Sequence, residues 1–189
     1  MEVALMAQPE IDPITTLGEV DPKKVGKDEF VALFEAAAEI ASSGAPVDLS
    51  ALRPDQFARL ISRASDKQLE AVVARPELRE RILDEVFRRM GEHYKSEKAN
   101  STEAVVRWRI GSDEDLLRYE CVLADGKCTV SKDSQHEPTV TITTPPAEFL
   151  KLASGNASAP MLFMKGKLKV AGDLGFAAGL AKLFQIPKA

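Results

Sequence analysis

The chain of 189 residues is 44% hydrophobic and 29% charged, a composition typical of folded proteins that excludes disordered and collagen-like ones. Its formal net charge of −4 lacks the basic excess that general nucleic-acid binding requires, so we expect no nucleic-acid partner. No apolar run approaches the roughly 18 residues of a membrane-spanning helix. The opening MEVALMAQPE lacks the pattern of a secretion signal. Together these features predict a cytoplasmic protein.

The first part of the chain divides into two segments. Residues 1 to about 25 contain several prolines and no sustained periodicity, which predicts an irregular lead-in. Residues 26–75 repeat apolar side chains at helical spacing and predict a helical N-terminal region. Within it, Pro54 suits a first helical turn. Ser65 and Gln68 have the spacing of a capping box, which predicts that another helix begins there.

The apolar period changes from helical to strand-like further along the chain. Pro76 begins a longer helix, predicted to run to about Ser96, with one apolar arc of about 140°. Beyond it, apolar and polar side chains alternate, as in half-buried strands. Five segments share this alternation: Val106–Ile110, Leu117–Leu123, Cys128–Val130, Val140–Ile142 and Leu168–Val170. Because helices come first and strands with further helices follow, we predict an α+β fold with residues 76–189 as its strand-bearing domain.

A predicted hairpin places the two cysteines. Asp125-Gly126 between two alternating segments is a strong signal for a tight hairpin turn. In that register Leu123 lies opposite Cys128, so Cys121 and Cys128 share a face but sit diagonally, about 7–8 Å apart. An unstrained disulfide does not span that separation. We therefore expect two buried thiols in a reducing compartment.

The last predicted helix, Asp173–Phe184, is apolar over an arc of about 220°, far wider than the roughly 100° stripe that a helix on a sheet needs. Such a helix requires apolar material on two sides. Three materials fit: more of the protein's own core, an apolar ligand between helix and sheet, or a membrane surface or second subunit. The Met-rich turn Met161–Met164 favours the ligand, because methionine adapts to variable shapes.

Signatures of catalysis are weak. His93 lies at the edge of a helical apolar arc, and His136 lies in a polar loop where we expect it to be solvated. No His/Cys group has zinc spacing, and neither nucleotide-binding nor serine-hydrolase motifs are present. We therefore expect no metal, no cofactor and no catalytic residue. If the chain acted on acyl thioesters, Cys121 would be the obvious nucleophile.

Residues from about 80 to 187 resemble the sterol carrier protein type-two (SCP-2) domain family. The resemblance is carried by a hairpin, a strand, two helices and a glycine-containing turn: Asp125-Gly126-Lys127, Pro138–Ile142, Phe149–Leu152 with Gly155, and Met164–Val170 with Gly172-Asp173 and the closing Leu183-Phe184. The N-terminal motif that runs from Pro54-Asp55-Gln56-Phe57 through Met90 resembles an extension found on some bacterial members.

This resemblance implies a five-stranded, mainly antiparallel sheet covered on one face by helices, with a lipid-binding tunnel between the two layers. It implies no catalytic residues and a ligand such as a fatty acyl chain, an acyl-CoA or a sterol. By position, the tunnel should be lined by residues of the strands, the Met-rich turn and the later helices: Trp108, Ile110, Tyr119, Cys121, Val140, Ile142, Phe149, Phe163, Met164, Phe176, Leu180 and Phe184.

We therefore expect a non-enzymatic protein that binds a lipid-like apolar ligand, with or without transferring it. Burial of apolar area would hold the ligand, so selectivity should be broad. The alternative is a protein-interaction module that binds a partner through the N-terminal helices or the last helix. A transient membrane contact is compatible with the carrier role.

Overall fold

The computed structural model describes residues 13–42, 51–98 and 101–186. Helices come first: α1 (Pro13–Glu19), α2 (Lys27–Ser42), α3 (Pro54–Arg63), α4 (Asp66–Val73) and α5 (Pro76–Glu92). The strands and remaining helices follow: β1 (Ala104–Ser112), β2 (Asp115–Ala124), β3 (Lys127–Ser131), β4 (Val140–Thr144), α6 (Pro146–Ala153), α7 (Ala159–Met164), β5 (Lys169–Gly172) and α8 (Leu174–Gly179). The predicted α+β class is confirmed. Within the described ranges no helix is both long and apolar enough to cross a membrane.

The N-terminal region is more regular than its sequence predicts. Residues 1–12 lie outside the described part of the chain, but α1 falls within the predicted irregular lead-in. This helix forms because Ile14 and Leu17 share one side of it and are almost fully buried. The predicted capping box is present at the start of α4. The Ser65 hydroxyl accepts from the Gln68 N–H at 3.3 Å, and the Gln68 side chain accepts from the Ser65 N–H at 2.8 Å.

Helix α5 stops short of its predicted end near Ser96. The residues that follow it pair with the end of the chain instead. The Lys95 N–H donates to the Leu183 carbonyl at 2.7 Å. The Gln185 N–H donates to the His93 carbonyl at 2.9 Å. Because these backbone groups are engaged in strand-like pairing, they are not free to continue the helix.

The five strands form one sheet in the order β3-β2-β1-β4-β5. Strands β1 and β4 run parallel and the other neighbours are antiparallel, which confirms the mainly antiparallel sheet. The hairpin between β2 and β3 has its predicted register, with Leu123 opposite Cys128. Its turn residues, Asp125 and Gly126, have φ angles of 53° and 70°, the left-handed conformation that such a turn requires.

One hydrophobic core runs from the N-terminal helices into the sheet. Phe30 of α2 and Leu69 of α4 belong to the same buried cluster as Trp108 and Leu123 of the sheet. Helix α5 packs on β2 and β3, and α6 packs on β1. Buried residues from both sides of residue 75 belong to this one cluster. The predicted domain boundary between residues 75 and 76 therefore stays a prediction from sequence.

The end of the chain is not the single helix predicted over Asp173–Phe184. The Asp173 carboxylate does cap α8, accepting from the Phe176 N–H at 2.8 Å. However, α8 ends at Gly179, and a 3₁₀ turn follows over Leu180–Leu183. Glycines within α8 lower its helix propensity, and pairing with the residues after α5 extends the chain at its end. The wide apolar arc of one continuous helix therefore does not describe this segment. The Met-rich segment before it, predicted as a turn, is helix α7.

Gly172, at the end of β5, should not tolerate a side chain. Its φ is +98°, and an added Cβ would lie 2.5 Å from the Thr139 carbonyl oxygen. Gly166 also has a positive φ, +69°, but open space around its Cβ position. In urea denaturation we expect Gly172→Ala to lower the free energy of unfolding by about 1–3 kcal/mol more than Gly166→Ala, because a backbone atom cannot easily move aside. If both variants lost the same free energy of unfolding, the positive φ angle alone, and not the contact with Thr139, would account for the destabilisation.

Candidate functional site

A cavity of about 1160 Å³ lies between the sheet and the helices and is partly open to solvent. Its volume exceeds the roughly 300–1,000 Å³ of typical small-molecule sites. Strands β1, β4 and β5 contribute Trp108, Ile142 and Val170 to its floor. Helices and the final 3₁₀ turn supply the main apolar side chains of the remaining wall: Pro54, Phe57, Val86, Met90, Phe149, Leu152, Phe163, Ala177, Ala178, Leu180 and Phe184. The result is a wide space with a mostly apolar wall.

An aromatic cluster, formed by Phe87, Trp108, Tyr119 and Phe149, fixes part of this wall. The Phe87 ring of α5 stacks on Tyr119 with centroids 4.0 Å apart and on Phe149 with centroids 4.9 Å apart. The Trp108 ring meets Phe149 edge-on at 5.3 Å. Stacked and edge-on arrangements are the favoured geometries of aromatic pairs. Trp108 and Phe149 are therefore held firmly by neighbouring rings while they also face the cavity.

The ionisable side chains that line the cavity are all basic. Among the described lining residues they are Arg89, His93 and Lys95, which we call the basic edge, and no Asp or Glu joins them. Arg89 is already engaged, because its Nε donates to Glu85 at 2.6 Å. The ammonium of Lys95 has no side-chain partner within the described residues. The basic edge can therefore bind an acidic group through charge-assisted hydrogen bonds.

The structure divides the predicted tunnel residues into two sets. Six line the cavity: Trp108, Ile142, Phe149, Phe163, Leu180 and Phe184. The other six do not: Ile110, Tyr119, Cys121, Val140, Met164 and Phe176. The strand residues of this second set are almost completely buried because helices pack directly on their part of the sheet. Met164 is 86% exposed, and Phe176 is half-buried against the core. Contact of any of these residues with a ligand stays a prediction.

Two parts of the wall have no counterpart in the sequence-based prediction. Pro54 and Phe57 reach the cavity from α3, in the helical N-terminal region. The Asn156 side chain holds α3 in place by donating to the Ala58 carbonyl at 2.9 Å. The sequence carries no signal for this role, because a helix that lines a cavity has the same apolar period as one in a filled core. The basic edge lies where the sequence predicts a continuous helix through Lys95.

Both cysteines are free thiols away from the cavity lining. A hydrogen bond with Cys128, together with burial, raises the pKa of the Cys121 thiol well above its ordinary value. The same hydrogen bond lowers the pKa of Cys128. Since the thiolate is the reactive form, a buried thiol that stays protonated is a poor nucleophile. The described residues also contain no group of His, Cys, Asp and Glu arranged to hold a metal ion.

Residues 83–185 match the sequence model of the SCP-2 sterol transfer family. The matched range begins within α5 and includes the whole sheet and helices α6 to α8. It therefore covers the floor of the cavity and most of its wall. Helices α1 to α4 lie outside it.

Similar proteins include hydroxysteroid dehydrogenase-like protein 2 of Homo sapiens, 24% identical over 143 residues, which cover 70% of this chain and 34% of that protein. The protein of the same name from Xenopus laevis is 27% identical over 139 residues, which cover 73% of this chain and 32% of that protein. The chain thus spans about a third of the length of these curated relatives.

Solved structures with a similar chain include sterol carrier protein 2 like 2 from Aedes aegypti, with 16% identity and a TM-score of 0.42 over 54% of this chain and 95% of that one. The sec-alkylsulfatase Pisa1 from Pseudomonas sp. has 13% identity and a TM-score of 0.49 over 93% of this chain and 32% of that one. Only a small part of the sulfatase is therefore involved in its match.

A buried acid on the opposite face of the sheet has a compact set of partners. The Glu120 carboxylate is almost fully buried, lies 2.7 Å from His136 Nδ1 and lies 3.5 Å from the Arg107 guanidinium. His136 is exposed to solvent, as expected, with 55% of its side chain accessible, and it also contacts Glu120. Burial by itself raises the pKa of Glu120, but hydrogen bonds from the His136 side chain and from the His136 and Gln135 N–H groups outweigh it and lower the pKa.

The Glu120 cluster makes stability depend on pH. A carboxyl whose pKa is lowered in the folded protein stabilises it above the unfolded-state pKa, and this contribution is lost as the pH falls through the folded-state pKa. We expect Glu120→Gln to lower the free energy of unfolding by about 1–3 kcal/mol near neutral pH. The loss should shrink in acid, where the wild-type carboxyl is also protonated. Urea denaturation across a pH series measures both effects, and a loss of constant size would contradict this account.

Proposed function

Because the chain belongs to the SCP-2 sterol transfer family, we propose that it binds a lipid-like apolar ligand and does not catalyse a reaction. The observation that carries the proposal is the cavity of about 1160 Å³ with its mostly apolar wall. A preformed space of this kind gains binding free energy when the apolar surfaces of ligand and wall leave water. A wall with few polar groups favours broad selectivity among apolar chains.

The basic edge supports a ligand with an acidic head. His93 and Lys95 belong to a mostly apolar lining, and no acidic residue of the described lining competes for them. A carboxylate beside Lys95 would form charge-assisted hydrogen bonds, while its acyl chain fills the apolar part of the cavity. A fatty acid fits this arrangement better than an uncharged sterol. An acyl-CoA would fit with its bulky head outside the cavity.

The character of the lining supports a carrier over an enzyme. Among the described residues it includes no Cys, Asp or Glu. The hydroxyl side chain in this described lining is that of Ser158. It caps α7 by accepting a hydrogen bond from the Met161 N–H at 3.4 Å. Nucleophilic catalysis would need an activated side chain with a base within hydrogen-bonding reach. Cys121, the nucleophile suggested by the sequence, lies elsewhere.

The alternative, an interaction module built on the N-terminal helices, has less support. Among the residues whose burial the structure describes, the exposed large apolar side chains lie in α7 and α8. Helix α4 packs directly on α6, and an ion pair of 2.6 Å between Asp66 and Lys151 joins them at the surface. We infer that the N-terminal helices contribute to the carrier itself, as a wall of its cavity.

Lys95→Gln tests the assignment of the acidic head. After removal of bound lipid, a fluorescent fatty-acid analogue should quench the single tryptophan, Trp108, which lines the cavity. We expect the variant to bind the acid about tenfold more weakly, because a hydrogen bond to a charged group contributes roughly 1.5–3 kcal/mol. A matched fatty alcohol should bind both proteins equally.

Lys127→Gln is the matched control, since Lys127 is exposed on β3 and does not line the cavity. Equal weakening of acid and alcohol by Lys95→Gln would reject the head assignment but leave the cavity as the binding site. No saturable quenching in the wild-type protein would reject the proposed function.

Ala178→Phe tests whether the cavity itself is the binding site. Ala178 lines the cavity from α8, so a phenyl ring there should occupy ligand space and weaken binding of the fatty-acid analogue at least tenfold. Ala171→Phe makes the same change on β5 at an exposed position outside the lining. It should bind like the wild type. If both variants stay folded by circular dichroism and bind alike, the ligand lies elsewhere.

A further inference from the structure

Large apolar side chains are exposed in one small region of the described chain. Met161, Phe163 and Met164 of α7 are 51%, 53% and 86% exposed, and Leu174 at the start of α8 is 59% exposed. We call these four side chains the apolar rim. Surface clusters of this kind mark interaction sites more often than scattered apolar residues do.

The backbone fixes these side chains in an outward orientation. Leu162 and Leu168, which flank the turn after α7, are buried at 3% and 4% exposure. The Lys167 N–H donates to the Leu162 carbonyl at 2.8 Å, and Gly166 closes the turn with a φ of +69°. With Leu162 anchored inside, Met161, Phe163 and Met164 cannot turn inward without undoing that anchor.

The apolar rim is continuous with the cavity. Phe163 and Leu174 both line the cavity while more than half of each side chain is exposed. Met161 and Met164 extend the same surface away from the lining. Whatever contacts the rim therefore lies next to the opening of the cavity.

Lysines adjoin the rim in a chain whose net charge is −4. Lys165 and Lys167 follow α7 directly and are exposed. Neither makes a side-chain hydrogen bond or ion pair within the described residues, although both lie near enough to Asp66 to help lower the pKa of its carboxyl. Nearby acids are engaged: the Asp173 carboxylate accepts from the Phe176 N–H at 2.8 Å, and Asp66 pairs with Lys151 at 2.6 Å. The rim thus combines apolar side chains with local positive charge.

We propose that the apolar rim, with Lys165 and Lys167, docks on an anionic phospholipid membrane. Apolar side chains would enter the boundary between headgroups and acyl chains, and the lysines would contact acidic headgroups. Docking places the opening of the cavity against the membrane, where a lipid ligand is found. This inference rests on the proposed function, because it gives the contact a purpose in loading or releasing that ligand.

Vesicle co-sedimentation tests the proposal with the full chain. The vesicles are phosphatidylcholine, with or without phosphatidylglycerol. We expect binding to the anionic vesicles and little binding to the zwitterionic ones. The double variant Lys165→Gln/Lys167→Gln should weaken the binding by about fivefold for each lysine removed. Its matched control is Arg118→Gln/Lys127→Gln, which changes two exposed basic residues on β2 and β3, towards the opposite edge of the sheet from β5, and should bind as the wild type does.

Met161→Ser/Met164→Ser tests the apolar part. Neither methionine lines the cavity, so the variant should lose vesicle binding yet bind the soluble fatty-acid analogue like the wild type. Absence of vesicle binding, with intact binding of the analogue, overturns the membrane proposal and leaves the proposed function standing. If the wild type is instead a dimer that this variant dissociates, the rim is an interface between two copies and the proposal fails. Vesicle binding that none of these variants changes also overturns it.

Discussion

The structure depends on how helices cover the dry face of the sheet. Each strand presents apolar side chains to that face, and the layer above must remove them from water. Over β2 and β3 the cover is close, because Phe87 of α5 stacks on Tyr119 at 4.0 Å. Over Ile142 of β4 and Val170 of β5 it leaves the cavity. The aromatic cluster marks the boundary, since Trp108 and Phe149 pack against the filled part and face the open one.

The boundary between the filled and the open part of the space above the sheet explains which lining residues the sequence could predict. Alternation along a strand tells which face a side chain lies on, and it correctly indicates that Trp108, Tyr119 and Ile142 are buried beneath the helices. It carries no information on which helix lies above each strand. Tyr119 and Cys121 meet packed protein, whereas Ile142 meets open space. Only the tertiary arrangement distinguishes these cases.

The helix ends were harder to predict for a related reason. Apolar periodicity continues past the ends of both α5 and α8, so the sequence alone favours longer helices. The pairing of Tyr94 with Phe184 ends the extension of α5 and sets the extended course of the chain after the 3₁₀ turn that follows α8. It joins segments that are far apart in the chain. Local patterns, such as the capping box at Ser65 or the turn at Asp125, leave a clear trace in sequence. A long-range pairing does not, and this one also positions the basic edge.

The N-terminal helices give this cavity a wall that the matched family range does not include. Phe57 reaches the lining from α3, and the bonds of Asn156 to Ala58 and of Lys151 to Asp66 hold α3 and α4 on the strand-bearing part. Side chains that face an open cavity forgo dispersion contacts that a filled core would supply. A ligand that binds the folded chain alone stabilises it by about 2.7 kcal/mol at a hundredfold excess over Kd. Since Phe57 would share in those contacts, occupancy of the cavity and docking of α3 are energetically coupled: each strengthens the other.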